Sequence, residues 1–386
     1  MRASLIVMAA GLFVAAGCNK SSTTTISDEI VIGEYGSMTG SEANFGQSTH
    51  NGVQMAVDEI NAAGGLHGKK VKLVSYDDQG KTSEAGTAVT RLITSDNALA
   101  VIGEVASSLS IAGGQICQQH GVPMVTPSST DDHVTETGDY VFRVCFIDTF
   151  QGWVMAKFAT DPAPAGLGAK KVAMLIDQRQ AYAQGLGKHF STALTKLGGT
   201  IVADEKYQGG DQDFSAQLTR IKGTAPDAIY IPGYYNDVAN IAKQVRGMGI
   251  TVPMMGGDGW ESVTDIGSDA IQGAYYSNHY DSADVKNPAV KSFVDKYTSR
   301  FKRAPDSMAA LGYDSVMIVK SAIEKSPPAP LAAWRTAVRD AIKNTSAYPG
   351  VTGSITIDEH RNAHKPAVVL KIVGKSTTTA ATISPQ

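Results

Sequence analysis

Hydrophobic and polar positions along the chain follow a repeating grammar. Residues 29–33, Glu-Ile-Val-Ile-Gly, form a short β-branched run that predicts a strand. Within residues 51–63, Val53, Ala56, Val57 and Ile60 fall on one helical face, and the pair Gly64-Gly65 ends the helix. The pattern continues with strands over 70–76, 98–102 and 122–126 and helices over 82–94 and 109–119. Apolar strands separated by longer helical segments predict a mainly parallel sheet covered on both faces. A Pro/Gly-rich stretch at 161–166 precedes a second run: strands over 172–176, 200–203, 228–231, 253–255 and 274–277, helices over 185–196, 214–222 and 238–248. The fold class is therefore α/β, with two doubly wound, Rossmann-like lobes in succession. Helices over 287–301, 307–325 and 331–343 are too short a set for a domain and are expected to cover one lobe. The Ser/Thr/Ala-rich end, 376–386, is expected to be a disordered tail.

Composition narrows the class. A chain of 386 residues has room for two or three domains, and 42% hydrophobic with 18% charged residues describes a globular protein. Its 34 Lys+Arg against 37 Asp+Glu, with no basic stripe, excludes the cationic footprint of a nucleic-acid binder. The 39 glycines suit a fold with many tight strand–helix junctions.

The first residues carry a different message. Arg2, an apolar run over 3–16 and small residues ending in Cys18 make an export signal at 1–17. That run is too short to span a bilayer, and no later stretch approaches the roughly 20 apolar residues a spanning helix needs. Ala15-Ala16-Gly17-Cys18 resembles a bacterial lipobox, with Ala15 where Leu is most usual, and would make Cys18 the acylated N-terminus. A plain signal peptide ending near a cysteine is the other reading. The polar run 19–27 favours the lipid anchor, because it supplies a flexible tether. Cys117 and Cys145 then remain, and either one disulfide or two isolated buried thiols fits them.

Motifs of covalent chemistry are missing. Gly185-Leu-Gly187, Gly247-Met-Gly249 and Gly257-Asp-Gly259 each lack the third glycine of a dinucleotide loop, and no phosphate loop or G-x-S-x-G elbow occurs. His360 and His364 have the spacing of a metal pair but read as turn residues. No cofactor or metal is called for.

Ligands of open α/β sheets sit beyond the carboxyl ends of the strands. Four such loops stand out. Gly103-Glu-Val-Ala-Ser-Ser108 brings Ser107 to the start of a helix, where hydroxyls and free N–H groups suit a carboxylate. Thr126-Pro-Ser-Ser-Thr130 adds hydroxyls and carbonyls, Pro232-Gly-Tyr-Tyr-Asn236 offers Tyr234, and Gly256-Gly-Asp-Gly-Trp260 offers Asp258. Helix caps, a packed tyrosine and a turn-forming aspartate are the plainer readings of each. Together they supply an anion site on one lobe and a negative charge on the other, the pairing that a zwitterion requires.

From about residue 28 to 375 the chain resembles the substrate-binding proteins of branched-chain amino-acid ABC importers, which have the type I periplasmic binding fold. The resemblance rests on Gly36-Ser-Met-Thr-Gly40, Asn61-Ala-Ala-Gly-Gly-Leu-His-Gly68, Tyr76-Asp-Asp78, the 103–108 loop, Pro127-Ser-Ser-Thr130, 209–214 with Asp213, Gly233-Tyr-Tyr235 and Gly256-Gly-Asp-Gly259. It implies two lobes joined by three crossings, with 28–148 plus 283–360 as the N-terminal lobe and 149–282 plus 366–375 as the C-terminal one. Carried over by position, Ser107 and Thr130 would hold the ligand carboxylate, and the Ser128 carbonyl and Thr130 hydroxyl the ammonium. Asp258 would be the counter-charge and Tyr234 a pocket aromatic. Phe45, Val105 and Ala106 would line the side-chain pocket. Tyr182, in Ala181-Tyr-Ala183 where the family often has Tyr-Gly, would join them. A disulfide found beside the pocket in some members would need cysteines near Gly80 and Ala106; its absence implies a differently shaped pocket.

The expected function is therefore non-enzymatic: a monomeric, lipid-anchored periplasmic or surface protein capturing an amino acid, aliphatic or branched, for ABC permease subunits. An extracellular sensor domain for amino acids, amides or small carboxylates is the alternative.

Overall fold

The structure, a computed structural model, describes residues 28–267, 269–283 and 287–385. In chain order the first lobe runs β1 (Glu29–Gly36), α1 (Ala43–Ala62), β2 (Lys70–Asp77), α2 (Thr82–Thr94), β3 (Ala100–Ile102), α3 (Ser107–His120), β4 (Met124–Thr126), α4 (His133–Glu136) and β5 (Val141–Arg143). The second runs α5 (Asp148–Thr160), β6 (Lys171–Asp177), α6 (Ala181–Lys196), β7 (Thr200–Tyr207), α7 (Ser215–Gly223), β8 (Ala228–Tyr230), α8 (Tyr235–Gly247), β9 (Met254–Gly256), α9 (Val263–Ile266) and β10 (Tyr275–Asn278). Then come α10 (Pro288–Phe301), α11 (Ser307–Lys325) and α12 (Leu331–Lys343), a small sheet of β11 (Tyr348–Gly350), β12 (Gly353–Ile357) and β13 (Ala363–His364), and finally β14 (Ala367–Val373) and β15 (Ser376–Ile383).

The first sheet has the order β2-β1-β3-β4-β5 and is parallel throughout. The second repeats that winding as β7-β6-β8-β9-β10 and adds β14 and β15 antiparallel at its far edge. In each sheet the winding reverses beside the first strand of the lobe, between β1 and β3 and between β6 and β8. Loops leaving those strands diverge, which opens a crevice at the carboxyl end of each sheet.

Helices α11 and α12 return to the first lobe. Leu311, Val319 and Trp334 share one buried cluster with Ile30 and Ile32 of β1 and Val53 and Val57 of α1. The periodicity of those helices demands such a partner, since an isolated amphipathic helix cannot cover its own apolar stripe.

Four expectations need correction or refinement. The tail over 376–383 is a strand, turned back at Gly374 (φ +64°) to pair with β14 from Val373↔Ser376 to Ala367↔Ile383. Low-complexity composition hid it: Thr is β-branched, and an edge strand with mostly exposed side chains needs no apolar stripe. Helix α1 starts at Ala43 rather than 51, because the turns before Val53 bury mainly small and polar residues, Gly46, Ser48 and Thr49, with Phe45 as their one large apolar side chain. Strand β5 and helix α5 escaped the pattern reading altogether. Cys117 and Cys145 are two separate buried thiols, and burial pushes the Cys145 thiol up to about 12. Cys18 and the signal and tether segments lie outside the described residues.

Candidate functional site

The carboxyl ends of the two sheets face each other across a seam, and named contacts close it. The Tyr235 hydroxyl accepts from the Asn44 N–H (3.2 Å) and donates to the Ser41 carbonyl (2.9 Å), while Ser108 Oγ accepts from the Ala181 N–H (3.1 Å). Phe45 and Val105 of the first lobe pack in one buried cluster with Tyr235, Val238 and Trp260 of the second.

The first-lobe wall is built on the loops after β3 and β4. Val105 and Ala106 lead into α3, which opens at Ser107, so its positive end points along this loop. Ser107 Oγ accepts from the Asp131 N–H at 3.3 Å, and Ser128 Oγ donates to the Val105 carbonyl at 3.1 Å. The Thr130 hydroxyl is buried and has no protein partner among the described residues. Glu104 pins these loops from beneath. Its carboxylate accepts from the Ala106 N–H (2.5 Å) and from the Ser37 N–H (2.8 Å) and hydroxyl (3.0 Å). Its carbonyl accepts from the hydroxyls of Thr126, Ser110 and Ser129. Burial, and then the nearby charge of Asp78, hold the Glu104 carboxyl well above the usual carboxylate range.

The second-lobe wall is aromatic. Tyr182, on the first turn of α6, stacks face to face on Tyr234 at 5.2 Å and 3°, and Tyr234 meets Phe45 edge-on at 5.8 Å. The Tyr182 hydroxyl accepts from the Gly259 N–H at 3.0 Å, which ties it to the Asp258 loop. That loop needs its glycines for close approach: a Cβ at Gly257 would lie 2.4 Å from the Tyr182 hydroxyl, and one at Gly259 2.8 Å from the Gly233 carbonyl.

Asp258 is 2% exposed and doubly held. Oδ1 accepts from Gln151 Nε2 at 2.6 Å, and Oδ2 lies 2.8 Å from His279 Nε2. Burial lowers the His279 pKa, with Asp258 pulling the other way. The ring is thus neutral near pH 7 and donates Nε2–H, so the contact is a hydrogen bond to a carboxylate rather than an ion pair. Phe146 stacks on that ring at 3.6 Å. Asp148, at the start of α5, donates its N–H to the Thr130 carbonyl (2.9 Å); its carboxyl has no well-formed hydrogen bond from the protein among the described residues, and only the Thr130 side chain stands close enough to pull its pKa down. Burial first, then the charges of Asp258 and Asp131, push its pKa well up. A cation beside Asp258 and Asp148 would relieve both the desolvation and the mutual repulsion.

The structure thus gathers Ser107, Ser128, Thr130, Tyr182, Tyr234, Asp258, Phe45, Val105 and Ala106 on loops and helix starts along one seam. Sequence reasoning missed Asp148, Gln151, His279 and Glu104. Asp148 follows β5 and His279 follows β10, so the strand-end rule reaches both once those strands are recognised. Gln151 lies one helical turn beyond Asp148. Among the described residues, no cluster of His, Cys, Asp and Glu could hold a metal ion, and no helix is long and apolar enough to cross a membrane.

Comparison with known proteins agrees with this fold. A family model described as periplasmic binding protein matches residues 29–377. A Leu/Ile/Val-binding protein of Rhizobium johnstonii is 33% identical over 335 residues, which cover 86% of this chain and 88% of that protein. The crystal structure of a leucine-binding protein of Thermotoga maritima superposes with a TM-score of 0.86 at 38% identity, covering 92% of this chain and 99% of that one. The branched-chain amino-acid transporter substrate-binding protein of Streptococcus pneumoniae, solved in complex with isoleucine, gives 0.85 at 34% identity, covering 92% and 100%.

Proposed function

This chain belongs to the periplasmic binding protein family, with the type I fold, and from that premise we propose that it is a solute-binding lipoprotein delivering an aliphatic amino acid to an ABC importer. Asp258 and Asp148 face the ligand ammonium, aided by the Ser128 carbonyl and the Thr130 hydroxyl. Ser107, Thr130 and the N-terminal end of α3 take its carboxylate. Phe45, Val105, Ala106, Tyr182 and Tyr234 enclose its side chain. The observation that carries the reading is the buried carboxyl of Asp148, which has no cationic partner and no well-formed hydrogen bond among the described residues and lies close enough to Asp258 to feel its charge. Two buried carboxylates with one surplus charge between them are costly unless a cation joins them.

The side-chain region supports an aliphatic ligand. Phe45, Val105, Met308 and Trp260 fall in one buried apolar cluster, which offers no charge to a polar side chain. The names of the relatives point the same way. Oriented N–H and hydroxyl groups with one charge pair supply affinity, and closure of the lobes hides the ligand from water and signals occupancy to the permease. Cys18, acylated, ties the protein to the membrane through the 19–27 tether, and the protein acts as a monomer. A thermal-shift screen across the twenty amino acids and small carboxylates tests the assignment. Leucine, isoleucine or valine should raise Tm most; a response to carboxylates without an amino group, and none to these, contradicts it.

A further inference from the structure

A second set of side chains ties the lobes together just beyond the Asp258 turn. Glu261 directly follows the turn that carries Asp258, and its N–H donates to the Asp258 carbonyl at 3.0 Å. Its Oε2 accepts from the Ser307 hydroxyl at 2.6 Å and N–H at 3.4 Å, at the start of α11 on the first lobe. The same oxygen accepts from Asn278 Nδ2 at 2.6 Å, at the end of β10. Asp306 stands next to Ser307 as the N-cap of α11, accepting from the Ala309 N–H (2.9 Å) and from the Ser48 hydroxyl of α1 (2.5 Å). Closing the lobes therefore brings one carboxyl group from each into the same place. A cavity of about 490 Å³ lined by Glu261, Asn278, Asp306 and Ser307 gives water access to them.

We propose that Glu261 is a proton-linked clamp on lobe closure: its carboxyl takes up a proton from solvent when the lobes bring it against Ser307 and Asp306, and returns it when they part. The inference rests on the reading of this chain as a closing amino-acid-binding protein. Two like charges brought together from opposite lobes cannot both stay ionised without cost, whereas one shared proton removes the repulsion and keeps the hydrogen bonds.

Other groups set the direction. Asp306 faces Glu261 from the segment before α11, Asp265 comes from α9, and Tyr276 from β10. Tyr280 and Asp281 lie on the crossing after β10, Arg303 precedes Asp306, and Lys375 lines the far wall. In the closed arrangement burial, then Asp306, raise Glu261 to about 7, and Asp306 is raised as well. An open arrangement returns Glu261 to the ordinary carboxylate value of about 4.3. The closed state therefore binds more protons, and its stability falls as pH rises from about 4.3 towards 7.

The test is calorimetry of L-leucine binding in buffers of different ionisation heat, across pH 5 to 7.5, on wild type, Glu261→Gln and Asp306→Asn. Gln keeps an acceptor for Ser307 and Asn278, and Asn keeps the helix cap. Because Asp148 also titrates in wild type, the quantity read is the difference between proteins. Wild type should take up more protons than Glu261→Gln, by up to about one per leucine, and its Kd should rise with pH relative to the variant by at most about tenfold per unit. Asp306→Asn should fall between. Equal proton counts in wild type and Glu261→Gln, with leucine bound by both, overturn the clamp and leave the ligand reading standing. Leucine failing to bind wild type at any pH overturns the ligand reading and the clamp with it.

Discussion

Replacing Asp258 by Asn removes one charge while keeping the side-chain shape. In the structure Asp258 is 2% exposed and accepts from Gln151 Nε2 at 2.6 Å and from His279 at 2.8 Å. Alanine would strand both of those buried donors, at about 1–3 kcal/mol each, and mix a folding defect with a binding one. Asparagine keeps an acceptor for one donor and turns its amide toward the other, so a modest loss of thermal stability is expected. Against a bound ammonium the change replaces the charged carboxylate by a neutral amide, so the charge of the hydrogen bond is lost. Hydrogen bonds to charged groups contribute about 1.5–3 kcal/mol, which corresponds to roughly 10- to 150-fold in Kd. Calorimetry with L-leucine at pH 7, beside melting curves of both proteins, measures it. A Kd within about twofold of wild type, in a variant that melts normally, refutes the assignment of Asp258 as counter-charge.

Further predictions test the remaining walls and the corrected fold. Tyr234→Ala removes the ring stacked on Tyr182 and set edge-on to Phe45, and should weaken leucine binding about tenfold or more with the melting temperature nearly kept, since Tyr234 lies at the seam. Asp148 has a raised pKa, and an ammonium beside it lowers that value. Leucine binding to Glu261→Gln should therefore release protons, and adding Asp148→Asn should abolish the release. Truncation after Val373 strips β15 from β14 and uncovers the packing of Ala381 and Ile383, so Tm should drop by a few degrees; an unchanged Tm would mean that the strand contributes nothing. Cys117 and Cys145 are buried and separate, so a thiol reagent should leave both unmodified in the native protein and label both after unfolding.

The order of strands and helices was legible because each lobe is a parallel sheet covered on both faces, where near-continuous apolar strands alternate with amphipathic helices. The strand-end rule then led from the runs at 98–102 and 228–231 to Ser107 and Tyr234 without any knowledge of the tertiary contacts. What escaped has a common cause. Strand β5, Val141–Arg143, carries a charge in its short apolar run; Arg143 is buried because the carbonyls of Ser129 and Asp131 accept from its guanidinium, and with the strand went Asp148 and Gln151 just beyond. His279 reads as an ordinary polar residue after a strand; only the fold brings it within 2.8 Å of Asp258. Strand β15 shows no apolar face because its place at the sheet edge does not require one. The carboxyls of Glu261 and Asp306, far apart in sequence, meet only because α11 returns to the first lobe.

The central claim is that the seam recognises a zwitterion with an aliphatic side chain. Titrating the wild-type protein with L-leucine and with 4-methylpentanoate, the same skeleton without its amino group, tests it directly. The loss of the charged hydrogen bond should weaken the acid by about tenfold or more relative to leucine. Equal affinity for the two, or binding of the acid alone, would contradict the account.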